Sequence, residues 1–216
     1  MIKVKICGIT NVEDALLACR CGADVLGFIF SKKSPRYIKP QVAKKIISQL
    51  GPFVVTAGVF IDEKKDAAYD LASYLDLDIL QFHGNESSSY CHYFKPKFKV
   101  IKVFFPSDRP FREKCCRYRV DAFLFDIRYK EKLQGAKTLS VDILREIFSL
   151  TKEGHRGIIS GGLNVKNILK TKKFNPYAVD VSRGVEKFIG KKDEKLVQLF
   201  IKIAKETSDY EKAAVT

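Results

Sequence analysis

The chain has 216 residues, 46% of them hydrophobic, and a formal net charge of +14. That composition excludes a disordered polymer and leaves enough apolar side chains for a sizeable core. No apolar run approaches the roughly 18 residues of a membrane span, Lys3 and Lys5 break up what could be a signal peptide, and the basic residues are spread along the chain without the block or aromatic signature of a nucleic-acid binder.

The first element, Lys3 to Cys7, alternates as a strand and stops against Gly8. A helix is expected over Val12 to Cys21 behind an Asn11 cap. Strand Asp24 to Phe30, helix Gln41 to Gln49, strand Val54 to Phe60 and helix Lys64 to Tyr74 follow. Next come strand Asp78 to Phe82, helix Glu86 to Phe94 behind Asn85, strand Lys99 to Phe104 and helix Phe111 to Tyr118. The last units are strand Ala122 to Asp126, helix Val141 to Leu150, strand Gly157 to Ser160, helix Val165 to Thr171 behind Asn164, strand Ala178 to Ser182 and helix Glu194 to Lys205.

Strict alternation of strand and helix implies parallel strands joined by crossover helices. Eight such units in 216 residues fit a compact (β/α)8 TIM barrel, against about 250 residues for a typical one. An open doubly wound sheet would carry G-x-G-x-x-G after its first strand. The corresponding turn, "CGITNVED", has one glycine. The expectation is one barrel domain over residues 1–207, with 208–216 as a frayed tail.

The six cysteines are Cys7, Cys19, Cys21, Cys91, Cys115 and Cys116, with no C-x-x-C pair, and the three histidines are scattered. Neither a zinc site nor a disulfide framework is expected. All but Cys7 fall on helices and read as packing residues.

A parallel barrel places its site at the carboxyl ends of the strands. Cys7 ends the first strand and Asp126 the sixth, so a thiol and a carboxyl can serve as base and acid over one cavity. The loop "SKKSPRYI" carries Arg36, which reads either as a solvated arginine or as a carboxylate clamp. Gln81 and His83 lie in "LQFHG", and His83 taken alone reads as structural before it reads as catalytic. Gly161 and Gly162 in "SGGLN", with Ser182, Arg183 and Gly184 in "DVSRGVE", supply backbone amides, a hydroxyl and a guanidinium for a phosphate. Asp180 joins this set. Lys5 shares a strand face with Cys7, so it should lie buried one layer below and pair with Asp180. A cation there acts to lower the Cys7 thiol from about 8.5 while burial acts to raise it.

The ordered motifs "KICGIT", "GADVLGFIF", "SPRYI", "GVF", "LQFHG", "IKV", "FLFD", "SGGLN" and "DVSRGVE" together resemble the phosphoribosylanthranilate isomerase family of tryptophan biosynthesis, across nearly the whole chain. The resemblance implies a (β/α)8 barrel that converts N-(5-phosphoribosyl)anthranilate to 1-(2-carboxyphenylamino)-1-deoxyribulose 5-phosphate by an Amadori rearrangement. It implies Cys7 as general base, Asp126 as general acid, Arg36 on the anthranilate carboxylate, and Gly162, Ser182 and Gly184 on the phosphate. It also implies no cofactor and no metal. At Cys7, the Lys5 cation together with a positively charged bound iminium is expected to outweigh burial. The partner is then an anionic phosphosugar, not nucleic acid or membrane. A cytoplasmic monomer is expected rather than a homodimer. Two departures stand out. "LQGAKTLSVDI" lacks the family's glycine pair and tryptophan after the sixth strand, and "DVSRGVE" places Arg183 where the family usually has serine; there it either adds a charge to the phosphate site or points outward to solvent. The related histidine-pathway isomerase would need paired aspartates, which Cys7 disfavours. A barrel recruited to nucleic-acid or scaffold duty would be expected to have lost Cys7, Asp126 or Arg36.

Overall fold

The computed structural model of the chain describes residues 1–127 and 138–206. Eight parallel strands close into a barrel in sequence order. They are β1 Lys3–Cys7, β2 Val25–Ile29, β3 Val55–Phe60, β4 Ile79–Phe82, β5 Lys99–Phe104, β6 Ala122–Phe125, β7 Gly157–Ile159 and β8 Ala178–Val181. The described helices around them are α1 Val12–Arg20, α2 Pro40–Ile47, α3 Lys65–Leu75, α4 Ser88–Phe94, α5 Phe111–Cys115, α6 Val141–Lys152, α7 Ile168–Lys172 and α8 Glu194–Lys205. Among the described residues no helix is long and apolar enough to cross a membrane.

Strand alternation separates two cores. Val4, Ile6, Leu26, Phe28, Leu80, Phe82, Val100, Phe123 and Val179 face the helices. Ile79, Ile101, Val103, Ala122, Leu124, Ile158 and Ala178 fill the lower barrel. The same parity sends Lys5, Cys7, Gln81, Asp126 and Asp180 inward. Aspartates stitch the amino-terminal rim: Asp24, Asp78 and Asp121 each precede a strand and accept the backbone N–H of Val4, Thr56 and Val100 on the strand before it.

Several local expectations need correction. Asn11 does cap α1, accepting the Asp14 N–H at 2.9 Å. Asn85 does not cap α4: Ser87 does, through Tyr90 N–H, while Asn85 donates its own N–H to Asp62. Asn164 accepts from Lys166 N–H at 2.8 Å, which holds a turn over 165–167, so α7 begins only at Ile168. The α5 helix also stops early, at Cys115. The sequence reading missed a small hairpin after the barrel, β9 Glu186–Phe188 with β10 Lys191–Lys192. The boundary at 207, the tail and residues 133–137 of the atypical stretch after β6 lie outside the described residues.

Candidate active site

Cys7 is buried at the inner end of β1, and Gly8 turns the chain there with φ +74°. Beneath it Lys5 donates to Asp180 at 2.8 Å, across the register pair that joins β1 to β8. Ser160 Oγ donates to the other Asp180 oxygen at 3.1 Å. The expected Lys5–Asp180 pair is therefore in place. Burial alone would depress the Lys5 ammonium, but Asp180 and Cys7 outweigh it and push it up.

Lys5 pulls the thiol down, as expected, but does not outweigh burial on its own. Burial raises Cys7 and exceeds the opposing pull of Lys5, so the thiol sits above its ordinary value. Asp180 also disfavours a second anion nearby, though less than Lys5 favours one.

Across the mouth, Asp126 Oδ2 lies 3.5 Å from His83 Nε2. Gln81 Nε2 approaches His83 Nδ1 at 3.1 Å. Burial pushes the His83 imidazole down, against the charge of Asp126, and favours the neutral ring. When the Gln81 amide donates to Nδ1, the neutral ring carries its proton on Nε2, toward Asp126.

The last two loops converge. Gly161 and Gly162 have φ of +78° and +79°. Asn167 holds the Gly162 carbonyl at 3.0 Å, which turns the N–H of the same planar peptide the opposite way. A Cβ on Gly184 would stand 1.8 Å from the Leu163 carbonyl oxygen, so the turn Arg183–Val185 packs directly on the loop after β7. Ser182 Oγ is closed off from solvent with no hydrogen-bond partner among the described residues, as is Gln81 Oε1. Arg183 is exposed.

Arg36 is held by a residue that sequence reasoning passed over. Its Nε donates to Glu186 Oε1 at 2.7 Å and its Nη2 to Oε2 at 2.5 Å. Lys192 is fully enclosed and reaches Glu186 at 3.1 Å, Cys7 O at 2.7 Å and Ser182 O at 3.3 Å. Burial opposes the Glu186 charge, yet Arg36 and Lys192 hold its carboxyl below the usual range. Burial pushes the Lys192 ammonium down, with Glu186 resisting. Glu186 stood inside a quoted motif and could have been flagged as its one unexplained charge. Nothing local marks Lys192, which reaches the site only because the hairpin folds back. Gly27 was also missed: it faces the thiol from β2.

The arrangement sets a thiol and a carboxyl at one mouth, flanked by an arginine and a glycine-lined double loop. That suits proton transfer on a ligand with two anionic ends. The family model for N-(5'phosphoribosyl)anthranilate (PRA) isomerase matches residues 4–203. The N-(5'-phosphoribosyl)anthranilate isomerase of Pelobacter propionicus is 44% identical over 209 residues, 96% of this chain and 97% of the relative. The crystal structure of phosphoribosyl anthranilate isomerase from Thermotoga maritima superposes with a TM-score of 0.87 at 40% identity, covering 95% of this chain and 99% of that one. A structure of such an isomerase in complex with reduced 1-(o-carboxyphenylamino)-1-deoxyribulose 5-phosphate gives 0.80 at 39% identity, with coverage of 95% and 99%. The chain belongs to the N-(5'-phosphoribosyl)anthranilate isomerase family.

Proposed function

We propose that the chain isomerises N-(5'-phosphoribosyl)anthranilate to 1-(2-carboxyphenylamino)-1-deoxyribulose 5-phosphate in tryptophan biosynthesis, with Asp126 as acid and Cys7 as base. Asp126 gives its proton to the furanose ring oxygen as the C1′–O bond breaks. The anilino nitrogen lone pair closes a C1′=N iminium. Cys7 as thiolate removes the C2′ proton, those electrons form C1′=C2′, and the iminium nitrogen becomes neutral. The enolamine then tautomerises to the ketone. The substrate's own nitrogen is the electron sink, so the scheme uses no cofactor.

The observation that carries this reading is the pairing of Cys7 and Asp126 on inward strand ends, between Arg36 on one side and the joined glycine loops on the other. Arg36 takes the anthranilate carboxylate. Gly161, Gly162, Gly184 and the unpartnered Ser182 hydroxyl take the phosphate. Gln81 and His83 orient Asp126. Asp180 acts through Lys5 beneath the thiol. Because burial raises Cys7, the substrate's iminium supplies the positive charge that makes proton removal by sulfur feasible. All of these residues come from one chain, which supports a site that works in a monomer; sedimentation equilibrium tests that state.

The direct test follows the loss of anthranilate-linked substrate fluorescence with purified protein. Asp126→Asn keeps the shape and removes the proton, so turnover should drop on the order of 100-fold or more. Near-normal turnover would remove Asp126 from the acid role.

A further inference from the structure

The Arg36 guanidinium meets Glu186 through Nε and Nη2. That is one edge of a planar fork with five N–H donors. The other edge, Nη1 with the second Nη2 hydrogen, keeps the geometry that matches a carboxylate bidentately. The arginine stem runs over Gly8, where a Cβ would stand 2.6 Å from Arg36 Cδ, so the fork is presented beside the catalytic thiol.

A carboxylate so close to an anion-binding arginine would ordinarily weaken it. Lys192 removes that penalty. Its three ammonium hydrogens have three acceptors: Glu186 Oε1, Cys7 O and Ser182 O. It therefore has no proton left over for the substrate, and Glu186 opposes the loss of its charge to burial. The formal charges of Arg36, Glu186 and Lys192 sum to one positive charge, enough for one carboxylate. The hairpin places both residues, because Lys192 and Glu186 are register partners. Asp14 on α1 anchors it through the Lys192 N–H at 2.7 Å and the Lys191 ammonium at 2.7 Å.

We infer that Glu186 is a specificity-determining positioning residue: it fixes one edge of Arg36 so that the other edge selects a substrate bearing an ortho carboxylate, while Lys192 offsets its charge. This inference rests on the carboxylate role proposed for Arg36. Glu186 itself touches neither the reacting atoms nor the substrate carboxylate.

The test compares kcat/KM for N-(5-phosphoribosyl)anthranilate and for N-(5-phosphoribosyl)aniline, the same molecule without the carboxylate. The ratio of the two measures carboxylate selection, and the fraction of folded enzyme cancels within it. Glu186→Gln should lower that ratio about tenfold or more, the size expected from disturbing a charge-assisted pair, mainly through KM for the anthranilate substrate. Arg36→Ala should lower it at least as far. The double variant should fall no further than Arg36→Ala alone, because Glu186 acts only through Arg36. If Glu186→Gln leaves the ratio unchanged while Arg36→Ala lowers it, the inference is overturned and the role of Arg36 stands. If Arg36→Ala also leaves it unchanged, the carboxylate role falls and takes the inference with it. Additive losses in the double variant would likewise overturn it.

Discussion

A Cβ on Gly27 would stand 2.8 Å from the Cys7 sulfur and 3.0 Å from the Lys5 nitrogen. The two strands are in register there, Cys7 opposite Gly27. The missing side chain on β2 is what lets β1 carry a thiol and a lysine in successive inward positions. Gly27→Ala therefore pushes against the far ends of two side chains, not against backbone. The fold can yield at those ends cheaply, but the base cannot move without losing its alignment. Turnover of Gly27→Ala should fall about tenfold or more, with KM little changed and thermal unfolding shifted only slightly. A variant with full turnover would show that the sulfur has slack at this position.

Lys5 lowers the Cys7 thiol and Asp180 raises it, both beneath the larger effect of burial. Lys5→Met removes the lowering influence and leaves Asp180 free to repel a thiolate, so the alkylation midpoint of Cys7 should rise. Adding Asp180→Asn removes that repulsion, so the Lys5→Met/Asp180→Asn double variant should titrate between wild type and Lys5→Met. Iodoacetamide labelling across pH, with the Cys7 peptide quantified by mass spectrometry, reads this order. A midpoint unmoved by Lys5→Met would make Lys5 a structural partner only, and leave the bound substrate as the sole activator of sulfur.

The barrel was legible because strand parity and helix alternation are local properties. The placing of Cys7 at the end of β1, and of Asp126 and Ser182 one residue past β6 and β8, followed from them to within a residue, and so did the Lys5–Asp180 pair, which needs only closure of β8 onto β1. The helix starts at Asn85 and Asn164 were misjudged because an asparagine can serve a loop as well as a cap. Asn85 donates its N–H to Asp62 on the neighbouring loop after β3, a contact no local pattern signals. The balance at Cys7 is not legible for a related reason: the sequence displays a cation near the thiol but not how completely an enclosing barrel removes water. Glu186 and Lys192 act through a hairpin that brings together residues far from Arg36 in the chain, and spacing alone does not reveal that.

Gly184 and Arg183 are neighbours with opposite expected outcomes. A side chain on Gly184 meets the Leu163 carbonyl oxygen at 1.8 Å, a backbone contact that cannot rotate away. Gly184→Ala must separate the two loops, so inhibition by inorganic phosphate should weaken about tenfold or more, as expected when close backbone approach is lost. Arg183 is exposed, and Arg183→Ser should leave that inhibition constant within about twofold at physiological salt, where exposed charges are screened. A large weakening in Arg183→Ser would bring its guanidinium into the phosphate site.

The loop that carries His83 is held by a second enclosed ion pair. Lys102 donates to Glu86 at 2.8 Å, to Gly84 O at 2.7 Å and to Phe82 O at 3.4 Å, and both charged side chains are almost wholly enclosed. Glu86 also accepts the N–H groups of Asp62 at 2.9 Å and Gly84 at 3.0 Å. Lys102→Met strands a buried carboxylate and should cost about 3–5 kcal/mol of stability. A stranded carboxylate is relieved by taking up a proton. The stability gap between wild type and Lys102→Met should therefore narrow at pH 5 relative to pH 8, because the folded variant then binds a proton that the wild type does not need. Urea unfolding at the two pH values measures the gap, and carboxylates common to both proteins cancel in the difference. A gap that is small at both pH values would mean water or another donor replaces Lys102. A gap that is large but independent of pH would mean the loss comes from the freed Phe82 and Gly84 carbonyls rather than from the carboxylate.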